Sequence, residues 1–268
     1  MDSLKALFKP LQPAIRPRDS HIIYYKERTP KDPIGDYVYC YWQLKSLQPL
    51  QETYMYRVVS DGCVDILIEV SSKTPFITGF SKKYITFDLG TSFHYLGIRF
   101  YPFMFPLLFN IPAKTVVDQF LPLEDILPEL GMGMGMQSMS MEDSLEQVAN
   151  HFDRVLSPYT QDLPQHDPRL SKTIDQILLS GGNIQIKDMD IDMSERQLRR
   201  MFQFYFGESP KVFAKVYRFQ RLLNSYLSTE GSLHEKVFYD MGYYDQAHFI
   251  KDFKRFYGVT PAQAFLRD

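Results

Sequence analysis

The last hundred or so residues of the chain contain the same helical pattern twice, at an offset of 51 positions. The first copy covers residues 194–210, and the second covers residues 245–261. Duplication at a fixed offset indicates that one supersecondary unit is used twice. The C-terminal third of the chain therefore has to accommodate two equivalent units.

Both copies have the same order of residue types. A capping residue, Ser194 or Asp245, is followed by a large apolar residue four positions on, a cation six positions on and an aromatic residue eight positions on. A glycine and then a Ser-Pro or Thr-Pro pair end each copy. Two short helices with basic faces in tandem favour two adjacent readings of one polymer, and DNA is the natural candidate.

The charge distribution agrees with this interpretation, although the total charge of −2 does not indicate it. Residues 1–168 carry 15 Lys and Arg against 20 Asp and Glu, whereas residues 169–268 carry 15 against 12. A modestly basic part joined to an acidic part fits a DNA-contacting domain attached to another domain, and chance asymmetry is the alternative. A hydrophobic content of 44% excludes global disorder.

The chain lacks the features of a secreted or membrane protein. Its two cysteines, Cys40 and Cys63, form neither a disulfide framework nor a CxxC motif. The first ten residues lack the apolar region of a secretory signal, and no stretch of about 18 apolar residues occurs. We therefore expect a cytoplasmic protein without a membrane span.

Residues 22–100 are predicted to form β-strands. Runs rich in aromatic and β-branched residues lie at 37–42, 54–59, 64–70, 84–87 and 93–100. Turn signals separate them at Asp61-Gly62, Lys73-Thr-Pro75 and Leu89-Gly90. The pattern predicts an antiparallel sandwich or small barrel, covered by short helices at 103–109 and 122–130.

Two segments are predicted to interrupt the fold. Residues 131–141 are rich in Gly and Met and are predicted to form a loosely packed loop; a copper site there would have no His or Cys ligand. Helical spacing follows at 142–156. Residues 161–168 are polar with two prolines, so they are predicted to link a β-rich domain at 1–160 to a helical domain at 169–268.

Every element after residue 169 is predicted to be helical. The first predicted helix runs from Leu170 to Leu179 and ends at a Gly stop signal. Capping residues or prolines give the other predicted starts, which are Ser194, Ser209, Ser232, Asp245 and Thr260. The helix that starts at Ser209 is the longest and buries an apolar stripe.

Two stretches carry the motifs of a known family. They are Met193-Ser-Glu-Arg-Gln-Leu-Arg-Arg-Met-Phe with Gly207-Glu-Ser-Pro, and Met241-Gly-Tyr with Phe249 and Phe253-Lys-Arg-Phe-Tyr-Gly-Val-Thr-Pro261. Residues 170–266 thereby resemble the AraC/XylS family of transcription regulators, which implies two helix-turn-helix units joined by a long helix. Residues 57–67 are similar to the cupin-like sensor half of one branch of such regulators. The expected fold is therefore α+β, with an antiparallel β sandwich or barrel before an all-α double helix-turn-helix domain.

The exposed side chains of the two basic helices are the candidate DNA contacts. Arg makes bidentate hydrogen bonds to guanine, and Gln makes them to adenine. The candidates are Arg196, Gln197, Arg199 and Arg200 on the first helix and Gln246, Ala247, His248 and Lys251 on the second. Arg200 is expected to contact phosphate or a neighbouring acid, and His248 is either a DNA contact or a packing residue. Lys254 and Arg255 are expected to serve phosphates. The alternative is that these residues form only a solvated charged helix face. Such a face would have no reason to recur 51 residues later, so the DNA-contact interpretation is favoured.

Two segments depart from the family pattern. Val237-Phe238 stands where Ile-Ala is expected, and Ala247 is a candidate to supply the space that the Phe ring needs. Residues 186–193 replace an expected Leu-Ala helix with acids at alternate positions, which is a poor helical pattern. These acids are not expected to bind calcium, because Met193 and Arg199 occupy the positions of the required Gly and acid.

The N-terminal half contains no predicted catalytic, metal or cofactor site. Its histidines lack the spacing of a cupin metal site, and Cys63 is expected to be a small buried residue. Asp61, Cys63 and Asp65 share one face if they lie on one strand. Asp65 and Arg99 either form a buried ion pair, the favoured interpretation, or bind an anionic effector in an apolar pocket.

The sequence thus predicts a transcription regulator in which a β-rich domain senses an effector or dimerises and thereby changes how a DNA-binding domain is presented. The expected partners are double-stranded DNA, a small-molecule effector, a second copy of the chain and, if the protein is an activator, RNA polymerase. The main alternative is an interaction protein that keeps this fold, binds DNA weakly and pairs with another regulator. A cupin-like enzyme with an attached helical domain is a third alternative, which would need a metal.

Overall fold

The computed structural model describes residues 2–12, 21–134, 143–161, 166–228 and 237–265. The strands are β1 (Ile23–Arg28), β2 (Val38–Ser46), β3 (Met55–Val58), β4 (Val64–Glu69), β5 (Thr74–Thr78), β6 (Ile85–Asp88), β7 (His94–Phe100) and β8 (Phe120–Pro122). The helices of the N-terminal part are α1 (Asp2–Leu7), α2 (Met104–Phe109), α3 (Leu123–Ile126), α4 (Pro128–Gly133) and α5 (Leu145–Leu156). Those of the C-terminal part are α6 (Pro168–Leu179), α7 (Glu195–Tyr205), α8 (Pro210–Ser228), α9 (Val237–Asp240), α10 (Gln246–Tyr257) and α11 (Pro261–Ala264).

The strands form a six-stranded antiparallel sheet and a two-stranded ribbon. The sheet order is β1-β2-β7-β4-β5-β8, and the ribbon pairs β3 with β6. Side chains alternate between the two faces of the sheet. On one face Tyr41 packs against α5, with its ring 5.4 Å from that of Phe152. On the other face Trp42 and Leu44 form an apolar cluster with Tyr56 of the ribbon. The predicted antiparallel β-rich architecture is therefore confirmed.

Two local predictions in this part are wrong. The expected turn at Lys73-Thr-Pro75 is the start of β5, where Pro75 lies opposite Ile68 of β4. Since β8 pairs only with residues 76–78, β5 is an edge strand at Pro75, the position where a missing N–H is tolerated. Residues 131–133, expected in a loose loop, end α4, and the following Met134 is fully buried. The rest of the predicted loop, residues 135–141, lies outside the described residues.

The C-terminal helices begin where their capping residues predict. The side chains of Ser194, Asp245 and Thr260 accept hydrogen bonds from backbone N–H groups of the first turns of α7, α10 and α11. Such bonds satisfy donors that the helix itself leaves unpaired. Residues 186–188 form one 3-10 turn instead of the family's helix, as their acidic pattern predicts. The predicted start at Ser232 lies outside the described residues.

The hydrophobic core is continuous between the sheet and the C-terminal helices. Phe213 of α8 is fully buried, and its ring lies 4.5 Å from Phe206 and 6.3 Å from Phe8. Phe103, which precedes α2, lies 5.9 Å from the same Phe206. Gln220 of α8 adds a polar contact, because its Nε2 donates to the carbonyl oxygen of Ser60 at 2.7 Å. These contacts fix the position of α8 relative to the sheet.

A buried histidine makes the fold sensitive to acid. His94 at the start of β7 is 3% exposed, and its Nε2 lies 2.8 Å from Nε2 of Gln43. A neutral imidazole accepts this bond from the amide, whereas a protonated one cannot. Burial, with a smaller effect of Lys45, lowers the pKa of His94 to about 4. Because this folded-state pKa lies below the ordinary value, the stability contributed by neutral His94 is present above about pH 6.5 and lost as the pH falls towards 4.

Lowering the pH from about 7 to about 5 should therefore cost the wild-type fold roughly 2 kcal/mol through His94 alone. His94→Gln cannot take up the proton and should lose less stability over the same interval. His21→Gln, at an exposed position, is the matched control and should keep the wild-type pH dependence. Urea unfolding at both pH values measures the free energy of unfolding of each variant. An equal loss of this free energy between about pH 7 and about pH 5 in wild type and His94→Gln would contradict this account.

Candidate nucleic-acid interface and a cavity in the sheet domain

Helix α7 presents its cations from a fixed apolar seam. Leu198 and Phe202 are fully buried, and the ring of Phe202 stacks on that of Phe206 at 4.6 Å. The buried seam sets the rotation of the helix about its axis. All of the predicted contacts on this helix are exposed, namely Arg196, Gln197, Arg199 and Arg200.

Gln197 also stabilises the start of its own helix. Its side-chain Oε1 accepts from the backbone N–H of Ser194 at 3.0 Å, and the backbone N–H of Gln197 donates to Ser194 Oγ at 3.3 Å. A bidentate contact to adenine uses both the oxygen and the nitrogen of the Gln amide, so a base would compete with this capping box for Oε1. The arginines are less constrained. Arg199 lies 3.3 Å from Glu195, but both groups are exposed, and such pairs contribute only about 0–1 kcal/mol.

The acids that precede α7 are attached to α6. Lys172 Nζ lies 2.8 Å from Asp190 Oδ2, and Gln176 exchanges hydrogen bonds with both backbone groups of Asp190. Arg169 Nη1 donates to the carbonyl oxygen of Asp192 at 3.0 Å. Because Asp190 already has a cationic partner, the acids repel phosphate less than their number suggests.

The second basic helix, α10, offers fewer free hydrogen-bond donors than α7. Gln246, Ala247 and Lys251 are exposed. His248 lies 3.2 Å from Asp252 Oδ2, and Lys215 of α8 lies 3.1 Å from the same oxygen. The carboxylate of Asp252 is buried and needs these partners. His248 is therefore half-buried in an ion cluster, the packing role that the sequence leaves open beside a DNA contact.

The carboxyl end of α10 contacts the sheet domain. Arg255 Nε donates to the carbonyl oxygen of Lys82 at 3.1 Å, and the carbonyl oxygen of Arg255 accepts from the N–H of Tyr84 at 3.2 Å. The carbonyl oxygen of Phe256 accepts from the N–H of Ser60 at 3.3 Å. Arg255, expected to serve phosphate, is thus partly occupied by the sheet domain.

The ring of Phe238 packs against two neighbouring aromatic rings. The rings of Phe238 on α9 and Phe249 on α10 lie 5.9 Å apart and are nearly parallel, at 8°. Phe238 also lies 4.2 Å from Tyr239. Ala247 is exposed. The Phe238 ring is therefore packed by stacking on Phe249.

Helices α7 and α10 border a common groove of about 690 Å³. Helix α7 contributes Arg199, α10 contributes His248, and α8 contributes Lys211, Lys215 and Arg218. Cations outnumber acids among the lining residues. A concave surface with excess positive charge between two exposed helices suits a phosphate backbone.

A cavity of about 200 Å³ lies between the sheet and the ribbon. Its wall is mostly apolar and includes Trp42, Leu67 and Phe87. The indole of Trp42 lies against Gly97 of β7, where an added Cβ would be 2.0 Å from the ring, so only glycine admits it. The indole Nε1 donates to Asp65 Oδ1 at 2.8 Å. The side chain of Trp42 is thereby fixed in the cavity wall.

The predicted pair of Asp65 and Arg99 is present in this wall. The two residues are cross-strand neighbours on β4 and β7, and Arg99 Nε lies 3.1 Å from Asp65 Oδ1 and 3.7 Å from Asp61 Oδ2. Burial raises the pKa of Asp65 to about 6, although the guanidinium of Arg99 opposes the shift. Arg99 Nη1 is buried without a hydrogen-bond partner among the described residues, and Glu27 Oε1 lies 3.8 Å from it. Asp65 and Arg99 therefore form a buried ion pair and also line the cavity.

The sequence does not identify Trp42 or the ribbon as parts of this cavity. Trp42 is the only Trp of the chain, and Gly97 interrupts an apolar strand. These two signals become meaningful only through the register that places Trp42 opposite Gly97.

Within the described ranges, no group of three or more His, Cys, Asp or Glu side chains is arranged to hold a metal ion. Over the same ranges, no helix has both the length and the apolar character needed to cross a membrane. Cys40 and Cys63 are buried thiols, and burial raises the pKa of both. Both thiols therefore resist forming the reactive thiolate.

Comparison with known families assigns two parts of the chain. Residues 26–122 match a domain of unknown function, DUF6597. Residues 190–267 match a helix-turn-helix domain and include α7, α8 and α10. A search of curated proteins found no match.

Comparison with solved structures gives only distant similarity. A structure of ToxT from Vibrio cholerae has 12% sequence identity, covers 91% of this chain and 97% of its own, and gives a TM-score of 0.41. A structure of wild-type ToxT from Vibrio cholerae strain SCE256 with bound unsaturated fatty acid has 12% identity, covers 91% and 94%, and gives a TM-score of 0.37. Similarity at this level does not by itself establish a common fold.

Truncation of Phe238 tests whether its ring stabilises the second unit. Phe238→Ala should cost roughly 1–3 kcal/mol, below the full value for a buried Phe because the ring is half-buried. Tyr239→Ala, at a neighbouring side chain that is 56% exposed, is the control and should cost less than about 0.5 kcal/mol. Chemical denaturation measures both. Unchanged stability together with tighter DNA binding by Phe238→Ala would show that the ring is an obstacle and not a packing residue.

Proposed function

Residues 190–267 are an AraC-type helix-turn-helix domain, and on this premise we propose that the protein is a transcription regulator that reads duplex DNA with α7 and α10. The observation that carries the proposal is the exposed arginine row of α7 on a fully buried seam. The helical pattern of α7 recurs 51 residues later in α10, with fewer cations, and both helices border one cationic groove. The matched family is not an enzyme family.

Helix α7 is the principal reader in this proposal. Arg196 and Arg199 have the length and the paired donors to bond guanine in the major groove, and Arg200 serves phosphate. Helix α10 supplies Gln246 and Lys251, and exposed Ala247 suits contact with a thymine methyl group. His248 is a weaker candidate because Asp252 already engages it.

We propose further that the cavity in the sheet domain binds a small, mostly apolar effector with one hydrogen-bond acceptor or anionic group. The apolar wall accounts for the first property. The Nη1 of Arg99, which lacks a hydrogen-bond partner among the described residues and lies 3.8 Å from Glu27, accounts for the second. Asp65 orients Arg99 and stabilises its charge.

The segments that line this cavity also hold α10. Val59 and Asp61 line the cavity on either side of Ser60, which bonds to Phe256. Ser81 and Ile85 line it close to Lys82 and Tyr84, which bond to Arg255. An occupant that displaces either segment would therefore change how α10 is presented to DNA.

The remaining parts of the proposal rest on the sequence alone. They are a division into domains at residues 161–168, dimerisation through the N-terminal domain, contact with RNA polymerase if the protein is an activator, and a cytoplasmic location. The few free donors of α10 are the observation that favours the alternative function, an interaction protein of this fold with weak DNA binding.

Substitutions on the two readers should separate base reading from phosphate contact. On a duplex selected from a randomised library by the wild-type protein, Arg196→Ala or Arg199→Ala should weaken binding by about 5- to 150-fold, since each lost bidentate contact costs about 1–3 kcal/mol. Lys251→Ala should weaken binding to this duplex by a smaller factor. Arg154→Ala, at an exposed arginine of α5, is the control.

Affinity for this duplex should also fall steeply with salt, because phosphate contacts release counterions. Equal losses for all three reader variants on selected and unselected DNA would mean that these side chains contact only phosphate. No binding at low salt would favour the interaction-protein alternative.

Trp42 provides a direct probe of the cavity, since it lines the wall and is the only Trp of the chain. A panel of small apolar carboxylic acids should include compounds that change its fluorescence and raise the melting temperature. Leu67→Phe fills the cavity and should abolish both effects, whereas Leu47→Phe, at an exposed leucine, should preserve them. An anionic ligand should bind more tightly below about pH 6, because protonation of Asp65 removes a negative charge beside Arg99. A response that survives in Leu67→Phe would place the ligand elsewhere.

A further inference from the structure

The two helix-turn-helix units touch at their turns. Gly182 follows α6 in the first unit, Gly242 follows α9 in the second, and both have a φ of +77°. A Cβ added at Gly242 would lie 2.6 Å from Cγ of Asn183, and one added at Gly182 would lie 2.4 Å from the carbonyl oxygen of Ala214 on α8. Glycine at these positions allows a left-handed backbone and a close approach of the two turns.

One side chain of the long helix bonds both turns. Arg218 Nη2 donates to the carbonyl oxygen of Gly182 at 2.6 Å, and Arg218 Nη1 donates to the carbonyl oxygen of Gly242 at 2.9 Å. The guanidinium also lies over the ring of Tyr243, 5.3 Å from its centroid. Arg218 Nε is buried without a partner among the described residues, so the side chain gives up solvation at one nitrogen in this position.

The chemistry of arginine explains why this contact fixes geometry. A guanidinium is planar and rigid, so the separation and direction of its terminal nitrogens are constant. Hydrogen bonds from a cationic donor are shorter and roughly twice as strong as neutral ones. The two bonded carbonyls belong to separate units, so the arginine bridges them.

Gly242 lies four residues before α10, whereas Gly182 is joined to α7 by a longer segment. Tyr243, next to Gly242, is buried, and its ring lies 5.3 Å from that of Phe249 in α10. Residues 183–194 connect Gly182 to α7, and Gln176 and Lys172 of α6 hold that segment through Asp190. The position of Arg218 is thereby transmitted to both helices.

We propose that Arg218 is a positioning residue that sets the spacing between the two DNA elements read by α7 and α10. The inference rests on the proposed DNA-binding function and concerns the geometry of the site. Two rigidly joined readers require elements at a fixed separation, since the major groove returns to the same face about every 10–10.5 base pairs. An insertion of one base pair moves one element by about 3.4 Å and rotates it by about 35°.

Selection from a randomised duplex library with the full-length chain tests the proposal. The wild-type protein should select two sequence elements at one separation. Arg218→Met keeps the stem of the side chain but removes both bonds, and it should select the same elements over a range of separations or lose the second element. At the wild-type separation its affinity should fall about tenfold, whereas one inserted base pair should cost it less than about threefold.

The matched control is Arg221→Met, which removes the same charge from α8 less than one turn further on. An added Cβ at Gly181 would lie 1.7 Å from Arg221 Nη1, so Arg221 lies beside the first turn. This control should keep the single separation of the wild type and a penalty of about tenfold or more for one inserted base pair. Arg218→Lys, which retains the charge but not the fork, replaces Arg218→Met if the latter does not fold, and it should also widen the range of separations.

The possible outcomes are distinct. A wild-type protein that selects no sequence would refute the proposed function. A wild-type protein that selects one element only, or an Arg218 variant with the same single separation as wild type and Arg221→Met, would overturn the role of Arg218 while leaving DNA binding intact.

Discussion

The packing of Phe213 joins the three parts of the molecule on which the proposed activities depend. Its ring is fully buried on α8, 4.5 Å from Phe206 at the end of the first reader and 6.3 Å from Phe8 near the N-terminus. A Cβ added at Gly62 of the sheet domain would lie 3.5 Å from the same ring. Truncation of a buried Phe lowers the free energy of unfolding by about 3–5 kcal/mol. Truncation of Phe213 would weaken the packing of α8 against all three of these parts. The sheet domain and the first reading unit therefore behave as one packed body.

The second helix-turn-helix unit is held by apolar packing and by hydrogen bonds at its ends. Phe219 of α8 packs against Phe253 and Phe256 of α10, at 5.6 and 5.4 Å between ring centroids. Hydrogen bonds hold both ends of this unit. Arg218 donates to the carbonyl oxygen of Gly242 at the turn, and Arg255 donates to the carbonyl oxygen of Lys82 in the sheet domain. Each such bond contributes only about 0.5–3 kcal/mol net, so these ends respond to small displacements that the aromatic core resists.

Sequence reasoning succeeds where the determinant is local and fails where it depends on register or on a distant partner. The caps at Ser194 and Asp245 bond N–H groups three residues away, so sequence alone identifies them. The start of β5 at Pro75 depends on how far β8 extends, and the cavity depends on Trp42 lying opposite Gly97. Arg218 looks like any cation on a long helix, because its two acceptors lie 36 and 24 residues away.

The asymmetry between the readers implies a division of roles in the proposed regulator. The arginine row of α7 rests on the buried seam of Leu198 and Phe202, so we expect its contribution to DNA binding to respond less to the state of the cavity than that of α10. Helix α10 has few free donors, and its carboxyl end is bonded to segments 59–61 and 81–85, which line that cavity. Coupling between two sites typically amounts to about 1–3 kcal/mol, or 5- to 150-fold in affinity. The loss or gain of a few contacts at α10 is of this size, so the weaker reader is the one suited to regulation.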